Sequence, residues 1–68
     1  MGIRIFNVPS LEGEDRARTI SATLRRVPGI LAVQVDVENK QVSVDFDSAL
    51  INEVQVMQAL RDMGYDAD

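Results

Sequence analysis

The 68-residue sequence contains no cysteine, no histidine and no tryptophan, and it has only two prolines and one tyrosine. Without cysteine no disulfide can form, so a hydrophobic core must stabilise the fold alone. Soft metal ions are usually held by thiolate, thioether or imidazole groups, and the first and last of these are absent. Nucleophilic catalysis by cysteine and acid–base catalysis by histidine are excluded as well. We therefore expect a domain that is not an enzyme and that holds no cofactor.

Positive charge and long apolar runs are also scarce. The chain carries 7 basic and 11 acidic residues, a net charge of −4. Such a balance disfavours nucleic acid and anionic membrane surfaces as partners. No apolar run approaches the roughly 18 residues that a membrane span requires, and no signal segment opens the sequence. We expect a single domain, residues 1–68, located in the cytoplasm.

Three segments have the pattern of β-strands. Residues 3–8 are rich in β-branched and aromatic side chains and are ended by Pro9 and Ser10. Residues 33–37 and 42–46 alternate strictly between apolar and polar side chains, which is typical of a strand with one buried face. Residues 38–41 join these two runs as a hairpin, in which Asn39 is expected to take the positive φ of a tight turn.

Two segments have the pattern of amphipathic helices. The first extends from residue 14 or 15 to residue 27, and acidic residues at its start and arginines at its end complement the helix dipole. The second begins after Asn52, an N-cap with Gln55 three residues further on, and ends near residue 63 with Gly64 as the left-handed terminating residue. Their predicted core positions are Ala17, Ile20, Leu24, Val27, Val56, Met57, Leu60 and Met63.

Residues 65–67 are long enough for a short last strand, which completes a β-α-β-β-α-β order. That order predicts the α+β, ferredoxin-like fold, with both helices on one face of a four-stranded antiparallel sheet. The other face is exposed to solvent. Its predicted polar residues are Gln34, Asp36, Ser43 and Asp45.

Three stretches resemble the heavy-metal-associated domain family, which includes copper chaperones and the amino-terminal modules of copper-pumping ATPases. They are Val27-Pro28-Gly29-Ile30 before the run at 33–37, Val42-Ser43-Val44-Asp45-Phe46-Asp47, and Ala59-Leu60-Arg61-Asp62-Met63-Gly64-Tyr65. In this order and at these spacings the resemblance covers residues 3–67. It implies the same ferredoxin-like fold and a function related to metal transport.

The metal loop of that family, Gly-Met-x-Cys-x-x-Cys, falls on residues 10–16 of this chain. By resemblance, Leu11 replaces the family's buried methionine, Gly13 and Arg16 replace its two cysteines, and Tyr65 matches a position close to the metal loop. Glycine supplies no ligand, and arginine supplies a permanent positive charge that repels a metal ion. The resemblance therefore implies that the metal site has been lost.

Two groups of residues are open to a metal-binding interpretation and to a plainer one. Glu12, Glu14 and Asp15 are a candidate site for Mg²⁺ or Ca²⁺, but Ca²⁺ requires six to eight oxygens in a defined loop, and complementing the helix dipole explains the same residues. Met57 and Met63 are candidate thioether ligands, but their positions on the apolar face of a helix favour packing. We expect no metal site in either place.

Two further groups are candidates for protein contacts. If Phe6 and Val8 face the helices, Ile3 and Ile5 lie on the open face of the sheet, on a central strand or near its edge, as an exposed apolar pair. Four arginines give the first helix a basic rim, which either steers an acidic partner or is an ordinary solvated face. They are Arg16, Arg18, Arg25 and Arg26.

These observations leave two hypotheses of different kinds. The first is a metal-free interaction or regulatory module that docks a protein partner, such as a transporter domain or another domain of a longer chain. Its candidate contact residues are Ile3, Ile5, Leu11, Glu12, Gly13, Glu14, Asp15, Arg16 and Tyr65. The second is a dimeric sensor of small, amino-acid-type ligands, although such a site needs a glycine-rich loop and Gly13 is a single glycine.

Overall fold

Alternating strands and capped helices produce five elements in the computed structural model, which describes residues 2–68. The elements are β1 (Gly2–Asn7), α1 (Gly13–Arg25), β2 (Ile30–Asp36), β3 (Gln41–Phe46) and α2 (Glu53–Asp62). The α+β class and the order of these elements agree with the prediction. Neither helix within residues 2–68 is long and apolar enough to cross a bilayer.

The described residues form one antiparallel sheet in the order β1-β3-β2. Ile3 lies opposite Asp45 and Ile5 opposite Ser43, while Gln34 lies opposite Ser43 from the other side. The strand β3 is therefore central. The strand β1, which a four-stranded sheet would enclose, is instead an edge strand within the described part of the chain.

The prediction of a fourth strand at residues 65–67 is wrong. The N–H of Tyr65 donates to the carbonyl of Leu60 at the end of α2, so it is not available to a sheet. The first strand-like pairing occurs at Asp68, which exchanges both backbone hydrogen bonds with Asn7 at 3.0 Å. In that register the next bonding pair would join Asp66 to Pro9, and proline has no N–H to donate.

One face of the sheet is covered by the helices, because α1 packs against β2 and α2 against β1. The apolar positions of the strands alternate onto this face, as predicted, and meet the apolar stripes of both helices. The fully buried core residues include Phe6, Val8, Ile20, Leu24, Val42, Val44, Val56 and Leu60. Val27, Val33, Val35, Met57 and Met63 pack around them at partial exposure, so both methionines are packing residues.

The ends of α2 are closed as the sequence predicts. The side chain of Asn52 accepts from the N–H of Gln55, and the Gln55 side chain accepts from the N–H of Asn52, both at 2.9 Å. At the other end, Gly64 has φ +92° and donates to Arg61, and Tyr65 donates to Leu60. These are the two bonds of a Schellman motif, so the capping predictions are confirmed.

The hairpin turn differs from the prediction in one residue. Lys40, not Asn39, takes the positive φ, at 54°. The reason is that Asn39 is already engaged: its backbone N–H donates to Asp36 Oδ1 at 3.1 Å and its side-chain amide to Asp36 Oδ2 at 2.8 Å. These bonds fix the backbone of residues 36–39, so the left-handed conformation that the turn needs is taken by Lys40.

Candidate functional site

The candidate site begins at the loop between β1 and α1, which is anchored by a buried leucine. Leu11 is 0% exposed, and its N–H donates to the carbonyl of Val8 at 3.0 Å. The side chain of Leu11 fills the core below the loop and cannot touch a partner. Its role in the site is to hold the loop in place.

Lys40 ties the same loop to the hairpin turn. Its carbonyl accepts from the N–H of Val8 at 2.8 Å, and its ammonium group donates to the carbonyl of Leu11 at 2.8 Å. A charged donor makes the second bond stronger than a neutral one. The loop is therefore held by a cation that sequence analysis did not assign to the site. No local pattern signals this contact, because Lys40 is 29 residues away in sequence.

Gly13 is the first residue of α1 and has φ +76°. A Cβ placed on this residue would meet no heavy atom within 4 Å, so space is available there but the backbone is strained for any other side chain. The residue before it, Glu12, is the N-cap and makes no side-chain capping bond. The helix thus begins with a flexible residue type at the position assigned by resemblance to the first cysteine.

Arg16, at the second of those positions, turns toward Tyr65. The guanidinium Nη1 donates to the Tyr65 hydroxyl at 3.5 Å, a long hydrogen bond. This bond, together with the charge interaction with Tyr65 and a smaller one with Glu12, holds the pKa of Arg16 above its ordinary value. Arg16 therefore carries a full positive charge at every physiological pH.

Tyr65 is 6% exposed and belongs to the core, while its hydroxyl reaches the loop. The ring packs and the polar end meets a polar partner, as is usual for a buried tyrosine. Arg16 and Tyr65 are thus bonded to each other, and Leu11 and Tyr65 belong to the same buried core. Of these three, only Arg16 is available for direct contact with another molecule.

The acidic residues of the loop do not form a metal-binding group. Glu12, Glu14 and Asp15 are exposed, and no three Asp or Glu side chains within residues 2–68 converge in a metal-binding arrangement. Gly13 provides no donor atom, and Arg16 and Lys40 bring positive charge instead. The residues at this loop therefore do not fit a bound metal ion.

Ile3 and Ile5 lie elsewhere. They are 71% and 53% exposed and project from the sheet face that the helices leave open, as predicted. The loop and α1 lie at the end and on the opposite face of the same sheet. The structure therefore separates the predicted contact residues into two surfaces: a loop surface, formed by Glu12, Gly13, Glu14, Asp15 and Arg16, and the β1 edge with Ile3 and Ile5.

Comparisons with known proteins agree with this geometry. The family described as "Heavy-metal-associated domain" matches residues 5–66. The copper chaperone CopZ of Staphylococcus aureus (strain bovine RF122 / ET3-1) is 30% identical over 66 residues, which are 97% of each chain. A solved structure of a CopZ metallochaperone has a TM-score of 0.92 at 28% identity and covers 98% of this chain and 100% of its own.

A copper-binding domain from HMA7, a P-type ATPase, superimposes with a TM-score of 0.94 at 22% identity, over 100% of this chain and 92% of that domain; at this identity the similarity concerns the fold. The family match spans most of the chain, and the CopZ similarity spans nearly all of it. This chain is a member of the heavy-metal-associated domain family, and its sequence contains no cysteine.

Proposed function

We propose that this domain is a non-catalytic, metal-free interaction or regulatory module related to metal transport, and that it docks a protein partner through the loop surface and the adjoining face of α1. The observation that carries the proposal is the Arg16–Tyr65 contact. A scaffold of the copper-chaperone type is retained around the loop, while the position of a ligand is taken by a cation that is bonded to the scaffold itself. The cytoplasmic location expected from the sequence is part of this proposal.

Two features support a docking role over simple loss of function. The loop is ordered from within the chain by Lys40 and Leu11, so it needs no metal to hold its shape. Arg16 adds an exposed, permanent positive charge to this ordered loop, whereas Arg18 and Arg25 lie on nearly the opposite side of α1. An acidic group placed opposite Arg16, on a transporter domain or on another domain of a longer chain, is the complement to this guanidinium.

The alternative, a dimeric sensor of small amino-acid-type ligands, has less support. The relatives named above are copper chaperones and a copper-binding transporter domain. The loop at Gly13 contains one glycine and is filled from below by Leu11. We therefore argue only the interaction module.

The metal-free part of the proposal is tested by calorimetric titration with Cu(I) under reducing conditions and with Zn(II). We expect no specific binding of either ion, because the chain offers neither thiolate nor imidazole. Stoichiometric binding in the sub-micromolar range would contradict it.

The docking part is tested with a purified metal-binding domain of a copper-transporting P-type ATPase as the probe. Arg16→Glu should weaken association, because it replaces the single cation among residues 12–16 with a fourth carboxylate and leaves the core intact. Arg61→Glu, on α2, is the matched control with the same change in net charge. Equal affinities of the parent domain and both variants would remove the loop surface from consideration.

A further inference from the structure

The outer edge of β1 carries unpaired backbone groups. In the pairing of β1 with β3, the backbone N–H and C=O groups of the even-numbered β1 residues point toward β3. The bond from the N–H of Val8 to the carbonyl of Lys40, at 2.8 Å, continues this pattern beyond the strand. The odd-numbered residues therefore point their N–H and C=O groups away from the sheet. Asn7 uses both groups with Asp68, whereas those of Ile3 and Ile5 have no partner within residues 2–68.

The side chains along this edge favour a further strand. Ile3 and Ile5 are exposed on the open face of the sheet. On the other face Arg4 lies over the ring of Phe6, with 5.4 Å from its guanidinium carbon to the ring centre. At Ile3 and Ile5 the edge thus has the alternating pattern of a strand without an outer neighbour among residues 2–68, and exposed edges of this kind pair with other chains.

Arg4 has spare bonding capacity at this edge. Its Nε is buried and has no hydrogen-bond partner in the described structure. Its nearest carboxylate, that of Glu53, is 4.0 Å from Nη1, the outer limit of an ion pair. A carboxylate on a strand paired with β1 would lie directly opposite Arg4, with the two Cβ atoms about 5 Å apart.

This arrangement argues against a second copy of the chain as the added strand. A two-fold antiparallel pairing that bonds Ile3 of one copy to Ile5 of the other is centred on Arg4. It would place Arg4 opposite Arg4. Like charges directly opposite one another destabilise a strand pair.

We propose that the β1 edge binds an extended segment of a partner protein with an apolar–acidic–apolar sequence. The acidic side chain pairs with Arg4 on the helix-covered face. The two apolar side chains lie beside Ile3 and Ile5 on the open face, and the partner backbone bonds to the free N–H and C=O groups of these isoleucines. This surface is separate from the loop surface, so the failure of one proposal would leave the other unaffected.

The experiment is a nuclear magnetic resonance titration of the full 68-residue chain with the peptide Lys-Thr-Val-Glu-Val-Thr-Lys. We expect shifts at the amides of Ile3, Arg4 and Ile5, slower hydrogen exchange at Ile3 and Ile5, and little change at residues 12–16. A peptide with lysine in place of glutamate should bind about fivefold more weakly. A peptide N-methylated at both valines should lose most of its affinity.

Two pairs of variants, each a test substitution and its control, make the result more specific. Ile5→Pro removes an N–H that points away from β3, so it should block the peptide and preserve the fold, whereas Ile5→Thr keeps the N–H and should still bind. Arg4→Glu should reverse the preference toward the lysine peptide, and Arg61→Glu on α2 should leave it unchanged. Circular dichroism checks that each variant is folded.

Three outcomes would overturn the proposal. The first is no binding of the glutamate peptide by the parent domain. The second is equal binding of the methylated peptide, which would show that backbone pairing is not involved. The third is a dimer in sedimentation that Ile5→Pro dissociates, which would identify a second copy as the occupant of this edge.

Discussion

The guanidinium of Arg16 donates to the hydroxyl of Tyr65 across 3.5 Å, joining the first turn of α1 to the segment that follows α2. Tyr65 is held from below by the core, whereas Arg16 is exposed. The contact therefore combines a buried acceptor with an exposed cation. It positions a permanent charge at a place where relatives that bind metal, by resemblance, carry a ligand.

Two substitutions of Tyr65 separate its packing from its hydrogen bond. Tyr65→Ala should destabilise the domain by about 3 kcal/mol, because it removes a buried ring. Tyr65→Phe keeps the ring and should change stability little, because the bond that it removes is long and ends on an exposed side chain. Urea denaturation of both variants measures the difference. A large loss in Tyr65→Phe would show that the hydroxyl contributes more than its geometry indicates.

Restoring both cysteines should create a metal site. The double variant Gly13→Cys with Arg16→Cys places two thiols beside the start of α1, where thiolates are favoured. The positive φ of Gly13 makes a cysteine there strained by roughly 1 kcal/mol or more, but Cβ has free space and metal–thiolate binding is worth about 10 kcal/mol. We expect measurable Cu(I) affinity in the double variant and little in either single one.

The matched control is Gly13→Ala with Arg16→Ala, which has the same backbone strain and the same loss of charge without thiols. Competition with a Cu(I) chelator measures all four variants. If the double cysteine variant folds but binds no better than the alanine control, the assignment of residues 13 and 16 to the cysteine positions is wrong.

The two helix N-termini should respond differently to loss of the N-cap side chain. Asn52→Ala removes the capping box of α2 and should destabilise the domain by about 1 kcal/mol. Glu12→Ala should have a much smaller effect, since the Glu12 side chain makes no capping bond to α1. Thermal denaturation of the pair provides the comparison. Equal losses would show that Glu12 stabilises α1 in another way.

Because of the Asp36–Asn39 pair, the folding stability of the domain should depend on pH in the acidic range. Hydrogen bonds from the side chain and then the backbone of Asn39 hold the pKa of Asp36 below its ordinary value. A carboxyl whose folded pKa is lowered contributes stability above its unfolded pKa, and this contribution is lost as pH falls through the folded pKa. Asn39→Ala should therefore raise the pKa of Asp36 and reduce stability at pH 7, while at about pH 2 the variant and the parent should differ less.

Urea denaturation at both pH values tests this expectation, and carboxyl resonances follow Asp36 directly. A stability difference that is the same at both pH values would contradict the linkage and assign the effect to the turn geometry alone.

The sequence indicated most residues of the candidate site, but not the hydrogen bonds that link them. The resemblance placed Leu11, Gly13, Arg16 and Tyr65 at one end of the domain, and the structure shows Arg16 bonded to Tyr65 there, with Leu11 buried below the loop. The contact of Lys40 with Leu11 was missed, because it depends on where the hairpin turn lies relative to a loop 29 residues earlier.

The sequence by itself determined the order of the elements, the faces that they bury and the absence of cysteine and histidine ligands, because periodicity, caps and residue types act locally. Tertiary structure alone decided that Arg16 meets Tyr65 and that Lys40 ties the loop. It also decided that residues 65–67 form no strand. The Tyr65 N–H terminates α2 and Pro9 has no N–H to donate, so bonds between distant parts of the chain, and not the strand propensity of this segment, leave a sheet of three strands within residues 2–68.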